Sequence, residues 1–278
     1  MDSRKCRFCN CPLNRVFIDL DESPLANSFL KESDFNTEKF YPLCTYLCEN
    51  CFLVQLEEQE TPENIFSNYA YFSSFSTTWL KHAQDFVEMI TKRLSLNNQS
   101  LVIEIASNDG YLLQNFIKKN IPVLGIEPAR NVAKAAMGNR IPTLVKFFNS
   151  KLAKKLTKDG TIADLIIGNN VLAHVPCLND FIDGLKILLK PSGVITLEFP
   201  HLLQLMKNNQ FDTIYHEHFS YFSLLTVKKI FDYHDLKIFE VNELPTHGGS
   251  LRLFVTHNEN NDVVGSQRSN RQVKSTNS

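Results

Sequence analysis

From about residue 100 the chain alternates short apolar runs with amphipathic stretches. Leu101-Val-Ile-Glu-Ile105 predicts a buried strand, Gly110 to Lys119 a helix, and Pro122-Val-Leu-Gly-Ile126 the next strand. Helix 128–137, strand 142–146, helix 150–158, strand 163–168, helix 178–189 and strand 193–199 continue the alternation. Such βαβα order predicts a parallel sheet with helices on both faces. Lys237-Ile-Phe-Glu-Val241 and Ser250-Leu-Arg-Leu-Phe-Val255 then read as two strands joined by a loop containing His247-Gly-Gly249. The sheet is therefore expected to finish with seven strands, the last antiparallel. Nearer the N-terminus, Phe17, Leu20, Leu25 and Phe29 surround a loop signal, Asp21-Glu-Ser-Pro24, which suggests a small separate subdomain. From Asn258 the pattern becomes polar and aperiodic, so 258–278 is expected to be a disordered tail.

With 43% hydrophobic residues among 278, the chain can bury a real core. Its 29 Lys and Arg against 30 Asp and Glu give a net charge of −1, which removes the general electrostatic case for coating nucleic acid or anionic lipid. The first ten residues have basic groups without an apolar core, and no run approaches the roughly 18 apolar residues of a membrane span. A cytoplasmic, soluble monomer acting on a small molecule is expected. Seven cysteines, an odd number, argue against a disulfide framework, and six of them fall between Cys6 and Cys51. Cys6-Arg-Phe-Cys9 and Cys48-Glu-Asn-Cys51 are two C-x-x-C knuckles, and four thiolates brought together favour a structural Zn2+ with no open position for water. Cys11 and Cys44 read as spectators. A redox pair or free thiols are the alternatives, but no βαβ pattern surrounds either knuckle. This places a zinc-binding domain at 1–66 and the α/β domain at 67–257.

In an open α/β sheet the ligand lies beyond the carboxyl ends of the strands. The first turn, Glu104-Ile-Ala-Ser-Asn-Asp-Gly110, supplies small residues where backbone must approach a ligand: Ala106, Ser107, Asn108 and Gly110. Only one glycine remains of the E/D-x-G-x-G-x-G form, and the loop fails the dinucleotide pattern G-x-G-x-x-G. Glu127 ends the second strand, where a carboxylate can accept both hydroxyls of a ribose; a helix-start carboxylate is the alternative. Asn169 and Asn170 end the fourth strand and suit a zwitterionic amino-acid moiety, although turn chemistry explains one of them equally well. After the fifth strand, Tyr215, His216, Glu217, His218 and Tyr221 concentrate proton-transfer groups, with either imidazole able to act as a general base. A second metal site and a structural aromatic patch are the competing readings. The seven-stranded pattern matches the class I, Rossmann-like sheet of S-adenosylmethionine (SAM) methyltransferases.

The sequence resembles the bacterial nucleotide-deoxysugar C-methyltransferases, which methylate a thymidine-diphosphate-linked 4-keto sugar. The two knuckles carry the resemblance together with Ser23-Pro-Leu-Ala-Asn-Ser-Phe29, Leu53-Val-Gln-Leu56, Tyr71-Phe-Ser-Ser74, Glu104 to Tyr111 and Gly125-Ile-Glu-Pro128. It continues through Asn169-Asn-Val-Leu-Ala-His-Val175, Glu198-Phe-Pro-His201, Tyr215-His-Glu-His-Phe-Ser220 and Thr246-His-Gly-Gly-Ser-Leu-Arg252. The resemblance implies structural zinc, SAM as cofactor and a nucleotide-sugar substrate. It implies His218 as base with Tyr215 and Glu217 beside it, a tyrosine at Tyr69 or Tyr71 nearby, and His174, His201 and His247 at the substrate. Members usually continue into a third domain, so a truncated chain with SAM affinity and reduced sugar turnover is expected. An inactive SAM-binding or partner-binding module, an O- or N-methyltransferase and a nicotinamide oxidoreductase are the other readings.

Overall fold

The computed structural model of the protein describes residues 4–260; of the tail expected at 258–278, residues 261–278 lie outside the described residues, while 258–260 form a turn closed by the Asn260 N–H donating to His257 O at 3.1 Å. Near the N-terminus β1 (Arg15–Ser23), β2 (Tyr41–Leu47) and β3 (Val54–Leu56) form an antiparallel meander. The loop expected at Asp21–Pro24 is instead a bulge in β1. Asp21 sits at φ 59, its N–H donates to Asp19 Oδ1 at 3.1 Å, and the register with β2 shifts between Asp19 and Glu22. Phe29, expected to help fill this subdomain, is 81% exposed.

Helix α1 (Pro62–Phe66) starts at Thr61, whose hydroxyl accepts from the Asn64 N–H, with Pro62 where a missing N–H costs nothing. Helix α2 (Thr77–Arg93) precedes the alternation that begins near residue 100. Ser76 caps it, and Ala83, Phe86, Val87 and Ile90 bury one face at helical spacing. The α/β order then follows as expected: β4 (Val102–Ile105), α3 (Leu113–Ile117), β5 (Val123–Ile126), α4 (Arg130–Gly138), β6 (Thr143–Leu144), α5 (Ser150–Lys158), β7 (Ala163–Asn169), α6 (Leu178–Leu188) and β8 (Leu189–Pro200). Helix α3 begins later than the pattern predicts because Gly110, at φ +80, cannot be its first turn. After α7 (Leu202–Lys207), β9 (Ser220–Tyr221) and α8 (Leu224–Tyr233), the chain closes with β10 (Leu236–Leu244) and β11 (Ser250–His257).

The large sheet has seven strands in the order β10-β11-β8-β7-β4-β5-β6. Its only antiparallel member is the last in the chain, as expected, but it is inserted between β8 and β10 rather than lying at the edge. Val102, Ile103, Leu165, Ile166, Ile167, Ile195 and Leu197 are all fully buried, because helices cover both faces of the parallel strands.

The small sheet has the order β1-β2-β3-β9, and its fourth strand comes from beyond the expected boundary at residue 66. Val54 pairs with Tyr221 and Gln55 with Ser220. Leu43, Val54 and Leu56 also share one apolar cluster with Leu202, Leu205, Ile214 and Tyr221. The N-terminal sheet is thus packed into the rest of the chain. Among the described residues no helix is long and apolar enough to cross a membrane.

A Cβ at Gly110 would stand 2.1 Å from Ile141 Cδ1 on a backbone already left-handed. Gly110→Ala is expected to lower the unfolding free energy by about 1–3 kcal/mol. Urea denaturation reads this directly, and an unchanged midpoint would contradict the account.

Candidate functional site

The loop leaving β4 keeps a left-handed backbone at every second residue: Ala106 at φ 57, Asn108 at φ 50 and Gly110 at φ 80. These are the three glycine positions of the E/D-x-G-x-G-x-G form, so the turn persists although two glycines do not. Asparagine adopts this region more readily than other side chains, whereas Ala106 is strained in it. Gly125 shows how closely the elements meet, since a Cβ there would lie 2.4 Å from Ser107 Oγ.

Glu127 spans both readings of its sequence position. Its Oε2 accepts from the Asn108 N–H and its Oε1 from the Ala129 N–H at the start of α4, each at 2.8 Å. It also faces a cavity of about 650 Å³ at the carboxyl ends of the strands. Burial pushes the Glu127 carboxyl up, against the pull of the two backbone donors. Glu104 is buried with Oε2 unpaired, and burial followed by the charges of Glu127 and Asp109 raises its pKa.

Ala106, Asn108, Glu127, Asn169 and Asn170 line one part of the cavity. Neither amide atom of Asn169 is hydrogen-bonded within the chain, nor is Asn170 Oδ1. Buried amides are rarely left so, and these orphaned donors and acceptors suit a polar ligand with both an amine and a carboxylate. Tyr69, Tyr71, His174, His247, Tyr215 and His218 line the remainder. Glu104, Ser107, Gly110, Glu217 and His201 lie behind the wall. The His201 N–H donates to Gly249 O at 2.9 Å, so this residue props the His247 loop instead of facing the cavity.

The sequence reading missed the aromatic lining: Trp79, Tyr111, Phe148 and Phe181. Trp79 stacks on His82 with ring centroids 4.9 Å apart and meets His247 edge-on at 5.2 Å. Periodicity through Ala83, Phe86, Val87 and Ile90 signals the helix that carries Trp79, but nothing local tells which end meets a cavity.

His218 is set by two contacts. Its Nδ1–H donates to Thr213 O at 3.0 Å, which leaves Nε2 with a free lone pair, and the Tyr215 hydroxyl donates to Nε2 at 3.1 Å. Burial pushes the imidazole down to about 4, so it is neutral near pH 7. His174 packs edge-on against it with centroids 4.7 Å apart and is likewise lowered by burial. His216 turns away, one ring nitrogen donating to Pro42 O at 3.2 Å. Glu217 accepts from Asn27 Nδ2 at 2.5 Å and from the Tyr69 hydroxyl at 3.3 Å, while Tyr71 stands half exposed at the rim. Burial raises Glu217, and burial followed by the charge of Glu217 raises Tyr69.

The two cysteine knuckles are built alike. Cys6 N–H donates to Cys11 O and Asn10 N–H to Cys6 O; Cys48 N–H donates to Leu53 O and Phe52 N–H to Cys48 O. Asn10 and Phe52 are left-handed at φ 60 and φ 66. Cys6 and Cys51 sulfurs stand 3.5 Å apart, Cys9 and Cys48 3.4 Å, and all four lie within 4.8 Å of one another. A zinc tetrathiolate with bonds of about 2.3 Å has sulfur–sulfur edges of roughly 3.8 Å, so the donor set fits. Gln55 Nε2 donates to Cys6 Sγ at 3.2 Å. Cys11 and Cys44 stay outside the group.

A mostly parallel seven-stranded sheet with one antiparallel strand inserted beside its edge, and a cavity at the carboxyl ends of β4, β5 and β7, defines a class I methyltransferase fold. The chain belongs to the methyltransferase family: residues 79–241 match the methyltransferase domain model, and residues 6–66 match a zinc binding domain model of the Methyltransf_13 family. It is 34% identical over 251 residues to the C-methyltransferase NovU of Streptomyces niveus, a match covering 90% of this chain and 60% of that protein. The chain thus spans about three-fifths of that relative's length. Among solved structures, the PH0226 protein of Pyrococcus horikoshii is 14% identical with a TM-score of 0.54, over 70% of this chain and 97% of its own. An S-adenosylmethionine-dependent methyltransferase of Clostridium acetobutylicum is 11% identical with a TM-score of 0.51, over 64% of this chain and 92% of its own. Both likenesses concern the fold.

Purified protein is expected to carry about one zinc per chain. Cys48→Ser should lose the metal and lower Tm by about 5–10 °C, equivalent to roughly 2–3 kcal/mol. Elemental analysis with thermal unfolding measures both, and full folding without metal would refute a structural zinc.

Proposed function

We propose that this protein is an S-adenosylmethionine-dependent C-methyltransferase that acts at the carbon beside the ketone of a nucleotide-linked 4-keto-deoxysugar, with His218 as the general base. The observation that carries the reading is the fixed tautomer of His218, with Nε2 presented at the cavity by the Nδ1–H bond to Thr213 O. The 34% identity to a protein named a C-methyltransferase supports the class of reaction.

Glu127 would hold the ribose hydroxyls, Asn169 and Asn170 the amino-acid end, and Phe148 with Phe181 an apolar wall for the purine ring. The cofactor supplies an electrophilic methyl group on a sulfonium. His218 Nε2 takes the proton from the carbon next to the ketone, because a buried neutral imidazole is ready to accept it at neutral pH. The Tyr215 hydroxyl, displaced from Nε2 by that carbon acid, is then free to donate to the developing enolate oxygen. Tyr69, held by Glu217, fixes the acceptor's position. None of the four clustered cysteines lines the cavity, and four thiolates would leave zinc no open position, so the metal would serve the structure only.

His218→Gln is expected to retain binding of S-adenosylhomocysteine, followed by fluorescence of Trp79, the only tryptophan in the chain. Methyl transfer should fall by about 10²- to 10⁴-fold, and unchanged turnover would exclude His218 as base. Deuterium wash-in at the sugar carbon without cofactor tests the pH dependence. Since burial lowers the base to about 4, deprotonated enzyme persists as pH falls. The acid limb should therefore lie near pH 4–5 (about two units below an ordinary histidine), whereas a limb at 6–7 would reject the assignment.

A further inference from the structure

Asn108 lines the cavity, yet its side-chain amide is committed to the chain. Its Oδ1 accepts from the backbone N–H of Ser73 at 3.0 Å and of Asp109 at 2.9 Å, and its Nδ2 donates to Tyr71 O at 3.0 Å. Asp109 continues the pattern, with Oδ2 accepting from the Ser74 N–H at 3.1 Å. Asn131 on α4 does the same earlier in the segment: Oδ1 accepts from Tyr69 N–H at 3.0 Å and Nδ2 donates to Tyr69 O at 2.6 Å. Tyr69 to Ser74, which enters a 3-10 turn at Ser73, is therefore a strap whose backbone is held by the side chains of Asn131, Asn108 and Asp109. The strap buries Ser73, brings Tyr69 onto Glu217 and places Tyr71 at the rim.

The turn itself does not require asparagine. At φ 50 glycine would fit at least as well, and glycine occupies that place in the three-glycine form of the loop. What Asn108 adds is the clamp. Ala106, Asn108 and Glu127 form a continuous stretch of cavity wall, because the Asn108 N–H also donates to Glu127 Oε2. A ligand pressing on this wall touches the residue that holds the strap.

We propose that Asn108 is a positioning residue that couples the cofactor-facing loop to the strap carrying Tyr69, so that filling the cofactor part of the cavity and fixing the substrate-side tyrosine are a single event. The ligand-dependent half of this coupling rests on the cofactor reading above. Linkage then requires that cofactor occupancy stabilise the strap, and that loosening the strap weaken the cofactor.

Hydrogen exchange of the 69–74 amides, with and without saturating S-adenosylhomocysteine, tests the proposal in the wild type and in Asn108→Gly. Without ligand, the Ser73 amide is expected to exchange at least about tenfold faster in the variant, since its acceptor is gone. With ligand, exchange across 69–74 should slow by about tenfold in the wild type and by less than about threefold in the variant, which still saturates with up to about tenfold weaker affinity. A merely structural asparagine would leave the ligand-induced slowing intact, and that result would overturn the proposal. Equal ligand-free exchange in the two proteins would overturn it as well. If S-adenosylhomocysteine fails to bind even the wild type, the cofactor reading fails, and the ligand-free comparison alone decides whether the clamp exists. Should Asn108→Gly not fold, Ser73→Pro removes the same N–H from the other side. Phe72, at φ −101 and ψ 117, already has the extended backbone that a following proline needs; in this variant, which has no amide at 73, the ligand-induced slowing at the other amides of 69–74 is expected to fall below about threefold, as in Asn108→Gly.

Discussion

The candidate site depends on the backbone of one residue, Phe219. Its N–H donates to Ala173 O at 2.8 Å, in the loop leaving β7, and its carbonyl accepts from the Leu56 N–H at 3.0 Å, at the end of β3. The ring is fully buried, and the Arg7 guanidinium lies 5.5 Å from its centroid. His218 is thus held immediately beside a peptide stitched to the small sheet at Leu56 and to the turn that follows β7 at Ala173. An imidazole whose pKa is lowered by burial and whose tautomer is set by the Thr213 carbonyl keeps both only while it is held that firmly.

The cysteine cluster is the far end of the same brace. Arg7, inside the first knuckle, donates from Nη1 to Pro176 O at 3.1 Å and from Nη2 to Leu56 O. Its backbone N–H donates to Gln55 Oε1 at 2.9 Å, and Gln55 pairs in register with Ser220. A short three-stranded meander has little core of its own. Four thiolates around a metal would fix the knuckle that aims Arg7, and through β3 and β9 this order reaches the cavity wall.

A second set of buried charges closes the opposite wall. Glu198, at the end of β8, accepts from His82 Nε2 at 3.0 Å, from Arg252 Nη2 at 2.6 Å and from the Thr246 hydroxyl at 2.9 Å. Burial alone would raise this carboxyl, but the hydrogen bond from His82 and the charge of Arg252 hold it below its usual value. Buried ions contribute little net stability, yet breaking such a set leaves an unpaired charge. Here the network ties α2, β8 and β11 together and holds Trp79 and His247 in edge-on contact on the cavity wall.

Periodicity alone determined the alternating strands and helices from residue 101 to 199, since each apolar run had to be buried on both faces. The cysteine spacing determined which four thiols meet, because a C-x-x-C turn aims both sulfurs one way. Residue chemistry also marked Glu127, Asn169, Tyr215 and His218, which all line the cavity. Only the tertiary structure decided the rest, and in each case the partner is distant in sequence. Val54 and Tyr221 pair across two strands although they lie 167 positions apart in the chain. The same holds for Glu217, whose side chain meets Asn27 and Tyr69 behind the wall, for His201, which supports a loop, and for Asn108, which holds a strap. No local pattern specifies such pairings, because they are selected by which surfaces meet when the two sheets pack together.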